Sequence, residues 1–60
     1  MMYYILGNDH RYYAGKCYSD KRTPVWKSCK TRALSFNTME DAISKAKQDN
    51  IFYLGIDYVP

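Results

Sequence analysis

Apolar and polar positions along this chain fall into short blocks, each with its own period. Met2-Tyr3-Tyr4-Ile5-Leu6 is an unbroken run of strand formers. Gly7-Asn8-Asp9 follows, turn chemistry that tolerates positive φ. Arg11 to Tyr18 reads as a second strand, so residues 2–18 are expected to form a β-hairpin. Ser19 to Pro24 is polar and ends in proline, which suits a loop. Val25 to about Phe36 starts as a third strand, and its end, Ala33-Leu34-Ser35-Phe36, reads as extended or as an irregular turn.

The period then changes from two to 3.6. Met39, Ala42, Ile43 and Ala46 fall at i, i+3, i+4 and i+7, one apolar stripe of a helix. Thr38 is a suitable N-cap, and Glu40 and Asp41 stand where acids favour the positive end of the helix dipole. Thr38-x-x-Asp41 is a capping-box variant. Lys45 and Lys47 occupy the C-terminal half, and Asp49-Asn50 is the stop. From Ile51 to Val59, Phe52, Leu54, Ile56 and Tyr58 alternate on one face, predicting a fourth strand. The order β-β-β-α-β predicts an α+β fold: one domain over residues 1–60, one sheet with one helix on one face.

Length limits what this fold can bury. A chain of 60 residues hides only about 60% of the surface its unfolded form exposes. A disulfide, a metal or a partner chain usually helps at this size. Cys17 and Cys29 lack the paired spacing of a zinc site, and His10 is the single histidine. No signal-peptide pattern or ~20-residue apolar span is present, so a cytoplasmic protein with reduced thiols is expected. A disulfide stays open if the two cysteines lie on neighbouring strands.

Charge is unevenly spread. Residues 11–32 carry Arg11, Lys16, Lys21, Arg22, Lys27, Lys30 and Arg32 against a single acid, Asp20, while the remainder is net acidic. Tyr12, Tyr13, Tyr18 and Trp26 are threaded through the same stretch. A basic, aromatic segment suggests a surface that meets something anionic. No residue pattern links His10 to a cysteine or serine nucleophile, and the isolated glycines form no phosphate-cradling loop. The expectation is therefore a binding protein and not an enzyme, with no cofactor.

Strand parity proposes the surface. If the helix covers the face bearing Cys17 and Cys29, then Tyr12, Lys16, Tyr18, Trp26, Lys30 and Arg32 occupy the open face as partner-binding residues. Such a face could stack on bases, clamp phosphate or seat a protein. The inverted register makes Trp26 core and leaves the cations as a solvated rim. Self-association into a two-fold dimer would cover a second apolar face.

Two resemblances extend this reading. Tyr3-Tyr4-Ile5-Leu6, Tyr12-Tyr13-Ala14-Gly15, an isolated Trp26, Ala33-x-x-Phe36, Thr38-x-Glu40-Asp41-Ala42 and the ending Val59-Pro60 resemble a recurring type of small phage or prophage accessory protein. That resemblance implies binding and disabling or redirecting a host protein, including a nuclease of a bacterial defence system. Tyr12 through Ala46 is also similar to the three-stranded-sheet DNA-binding domain of phage-type integrases. This second resemblance implies direct DNA or RNA binding through the basic sheet face. It differs in carrying a fourth strand and in having Ser35 where a glycine is usual.

Overall fold

The computed structural model describes residues 1–60. Strands β1 (Met2–Leu6), β2 (Tyr12–Lys16) and β3 (Pro24–Lys27) precede helix α1 (Met39–Asp49), and β4 (Gly55–Val59) follows it. They form one sheet of order β3-β2-β1-β4, with every neighbouring pair antiparallel. The helix packs on one face, giving the expected α+β arrangement.

The first turn is closed by Gly7, whose N–H donates to the Arg11 carbonyl, while the His10 N–H donates back to the Gly7 carbonyl. Residue 10 carries the positive φ, +63°, and not the glycine or asparagine before it. A tight turn followed by a left-handed residue matches the right-handed strand twist. In β2 an extra residue bulges out. Tyr13 faces Trp26 but Lys16 faces Pro24, so Ala14 and Gly15 together oppose Val25. Gly15 adopts φ +98°, a conformation that residues with a Cβ rarely take.

The third strand is shorter than its pattern suggests. It ends at Lys27, and a 3-10 turn spans Lys30–Arg32. The cause is local: Cys29 Sγ and Thr31 Oγ1 lie 2.9 Å apart in a hydrogen bond, and the Arg32 N–H turns back to the Cys29 carbonyl. Short polar side chains compete here with an extended ladder. The chain then enters the gap where β1 and β2, paired only at Leu6 and Tyr12, diverge. Leu34 N–H donates to the Tyr13 carbonyl, and Phe36 and Tyr3 exchange two backbone bonds of 2.9 Å. Residues 34–36 thus bridge the splayed strands.

Helix α1 begins and ends as its residues require. Thr38 Oγ1 accepts the Asp41 N–H at 3.1 Å. At the other end Asn50 is left-handed (φ +53°), its N–H reaching the Lys47 carbonyl, while the Ile51 N–H reaches the Ala46 carbonyl. These two bonds form a Schellman motif, completed by an apolar residue just past the cap, Ile51. That cap alters the parity expected of residues 51–59. Ile51, Tyr53 and Ile56 pack toward the core, whereas Phe52 is 90% and Leu54 59% exposed. The strand proper starts only at Gly55, after a bend at Leu54.

The core is small. Ile5, Tyr13, Ala42 and Ala46 form its buried centre, ringed by Tyr3, Trp26, Leu34, Phe36, Ile51, Tyr53 and Ile56. Two alanines bring the helix close over Ile5 and Tyr13. Ile43 is only half-buried and Met39 is exposed, so the predicted stripe is real but its centre is the alanine pair. The Tyr13 hydroxyl donates to Asp49 Oδ2, and Lys45 completes the group at 3.4 Å. Burial first, then the neighbouring carboxylate, pushes the Tyr13 phenol well above its ordinary range. Both cysteines are free, Cys17 half-buried and Cys29 exposed.

Candidate interaction surface

The sheet divides its side chains by parity. Tyr3, Ile5, Tyr13 and Ile56 lie toward the helix, and Trp26 joins them as the register partner of Tyr13, ring centroids 5.3 Å apart. Met2, Tyr4, Tyr12, Lys27, Asp57 and Val59 alternate onto the open face. Trp26 therefore does not share a face with Tyr12, because the register pairs it with Tyr13 and pairs Tyr12 with Lys27. Lys30 lies beyond the end of β3, where strand parity no longer places it.

Tyr12 and Lys30 do meet. The turn at Lys30–Arg32 throws the lysine across the open face, its Nζ 5.3 Å from the Tyr12 ring centroid and 5.9 Å from that of Tyr4. It ends 2.8 Å from Asp57 Oδ2, which also accepts the Tyr12 hydroxyl at 3.2 Å. The hydrogen bond to Asp57 raises the Lys30 pKa, while Lys30 holds the Asp57 carboxyl below its usual range. This is an electrostatically closed group. The lysine has its counter-ion within the chain, and less of its charge is offered to an outside anion.

Lys16, Tyr18 and Arg32 are dispersed. The bulge pairs Lys16 with Pro24, which alternates with Trp26, so Lys16 leaves the Tyr12 side. Its Nζ donates to the Arg22 carbonyl at 3.1 Å and braces the β2–β3 connection. Arg32 is exposed in the 3-10 turn.

Tyr18 is 95% exposed at the tip of the β2–β3 connection, and that tip is well ordered by its own bonds. Cys17 N–H donates to the Thr23 carbonyl and Lys21 N–H to the Cys17 carbonyl, each at 2.7 Å. Asp20 Oδ1 accepts the N–H groups of Arg22 and Thr23, and Oδ2 accepts the Thr23 hydroxyl at 2.8 Å. The Arg22 and Thr23 N–H groups hold the Asp20 carboxyl below its usual range. Lys21 adopts φ +57° to complete the curve. The one acid of the basic segment is thus consumed inside the loop, and the charges of Lys21 and Arg22, in the same loop as Tyr18, stand without a carboxylate partner. Parity reasoning missed Lys21 and Arg22. The signal was the Asp20-x-x-Thr23-Pro24 sequence, a side-chain-capped turn.

Both thiols are lowered in pKa, Cys17 by its hydrogen bond with Ser19 and Cys29 by its bond with Thr31. No group of three or more His, Cys, Asp or Glu side chains converges to hold a metal ion, and the surface has no pocket. No helix is long and apolar enough to cross a membrane. No family model, curated protein or solved structure matches the chain.

Proposed function

We propose that this domain acts by binding a protein partner, with the β2–β3 tip as its contact: Tyr18 flanked by Lys21 and Arg22, facing an acidic surface. The observation that carries this reading is the pairing of near-complete exposure at Tyr18 with a loop whose polar groups are already satisfied internally. A preorganised loop loses little conformational freedom on docking. An exposed tyrosine beside arginine is a composition enriched at binding hot spots, where truncation often costs ~2 kcal/mol or more. Tyr18 stands out in solvent and the surface has no pocket, so the tip suits insertion into a concavity of the partner.

The resemblance to small phage accessory proteins supports a host protein as that partner, inhibited or redirected by the contact, a nuclease of a defence system among them. The open sheet face is the weaker candidate for nucleic acid, because Lys30 is already answered by Asp57 and Trp26 lies on the other side.

The test is comparative. Immobilised chain and a Tyr18→Ser, Lys21→Glu, Arg22→Glu variant would be exposed to bacterial lysate with and without nuclease treatment. A protein retained by the parent after nuclease treatment, and lost by the folded variant, is the expected result. Retention that vanishes with nuclease would instead favour nucleic acid, with a steep salt dependence. Equal retention by the variant would remove the tip from the contact.

A further inference from the structure

The two edges of the sheet are treated differently. Edge strands present unpaired N–H and C=O groups, and proteins usually blunt them with proline, lysine or a bulge. Strand β3 has such devices: four residues, Pro24 at its start and Lys27 at its end. Strand β4 has five residues, with no proline or lysine among them. Its single charge, Asp57, is drawn toward Lys30 on the open face. Exposed apolar side chains gather here too. Phe52 (90%), Leu54 (59%) and Tyr58 (44%) all belong to β4 or its lead-in.

We infer that β4 pairs with β4 of a second copy of this chain, antiparallel about a two-fold axis, joining two sheets edge to edge. The sequence of the edge selects both the partner and the register. With the axis at Ile56, Gly55 faces the partner's Asp57 and Leu54 comes beside the partner's Tyr58. Exposed Leu54 and Tyr58 then cover one another, Phe52 falls opposite the partner's Pro60, and no carboxylate opposes its own copy. Shifting the axis to Asp57 would set the two carboxylates face to face, which is unfavourable across a strand pair. A two-fold pairing is self-complementary and closes at two copies, so it ends the exposed edge instead of propagating it. The resulting order, β3-β2-β1-β4 continued by its mirror sequence in the partner, places the two β2–β3 tips at opposite ends of eight strands. The assembly would then be bivalent toward the partner proposed above, although the pairing itself does not depend on that reading.

The interface is small, at the low end of specific contacts, so the dimer should dominate only at tens of micromolar and above. Sedimentation velocity over a concentration series is the first measurement. The parent chain should shift from monomer to dimer, and Leu54→Lys should stay monomeric with an unchanged circular dichroism spectrum. Amide exchange supplies a second readout that needs no variant: protection should rise with concentration at alternate β4 amides and at no β3 amide. A parent that remains monomeric throughout overturns the inference. A Leu54→Lys variant that dimerises as well as the parent, or concentration-dependent protection located elsewhere, overturns it too.

Discussion

Trp26 rests directly on Gly7: a methyl group placed on the Gly7 α-carbon would stand 2.8 Å from Cζ3 of the indole. The glycine is needed there for space, since its φ is not in the left-handed region. The contact ties β3 to the end of β1 across the intervening β2, and the same indole meets the Tyr13 ring at a tilt of 54°. Gly7→Ala should therefore force the indole away and cost about 1–3 kcal/mol, the usual range for overpacking. Denaturant melts followed by Trp26 fluorescence check both parts. An unchanged midpoint and emission would show that the indole has room to spare.

Tyr13→Phe removes the hydroxyl that donates to Asp49, a carboxylate only 11% exposed in its side chain. A hydrogen bond to a charged group contributes about 1.5–3 kcal/mol, so a loss in that range is expected at neutral pH. The pH dependence gives a second signature. Because the folded state holds the Tyr13 proton more tightly than the unfolded state, the contribution is complete below the ordinary tyrosine pKa of about 10 and is lost as pH rises above it. The parent should lose stability steeply in alkali, and Tyr13→Phe should show a flatter fall. Thermal melts across the alkaline range measure the difference.

His10 is held at φ +63° at the hairpin turn, where a side chain is strained and glycine is not. His10→Gly should stabilise the hairpin or leave it unchanged, within about 1 kcal/mol, because relief of strain competes with greater freedom of the unfolded chain. A clear loss in the melting midpoint would mean that the imidazole makes a stabilising contact.

The elements most legible in the sequence were those set by local chemistry. Thr38, the acids after it and the Asn50 stop define α1 within its own residues, and the run Met2 to Leu6 needed no context to read as a strand. The third strand was overextended because alternation alone does not register the Cys29–Thr31 hydrogen bond or the long-range pairing of Phe36 with Tyr3. That error carried into the surface. Parity transmitted through a strand that ends at Lys27 cannot place Lys30 or Arg32, and the Gly15 bulge reversed Lys16 for the same reason. Likewise, Phe52 and Leu54 were placed on one strand face with Ile56 and Tyr58 because the alternation was counted through the helix cap and the bend. Tyr12 and Lys30 came together through a turn instead of a shared strand face, which no period of two describes.

Acid should weaken the fold and the proposed contact through two different carboxylates. Arg22 and Thr23 N–H groups lower the Asp20 pKa, and Lys30 lowers that of Asp57. A carboxyl whose folded pKa lies below its unfolded value, about 4, stabilises the protein fully above that pH and less as pH falls through the folded value. Thermal stability should therefore hold from neutrality down to about pH 4 and decline below it. Asp20 is exposed and the Asp57 side chain is 34% exposed, so solvent screening keeps each effect modest. Salt separates them. The Asp57–Lys30 pair is a partly exposed ion pair and should weaken with ionic strength, while Asp20 bonds mainly to backbone N–H groups and should respond less. Asp57→Asn should flatten the salt-sensitive part of the acid decline and leave the β2–β3 tip intact. Asp20→Ala should instead loosen the tip, visible as faster exchange of the Arg22 and Thr23 amides, and should reduce partner binding while the remaining sheet keeps its protection. If Asp20→Ala leaves those amides as protected as in the parent, the loop is ordered by its backbone bonds alone, and Asp20 is not what presents Tyr18.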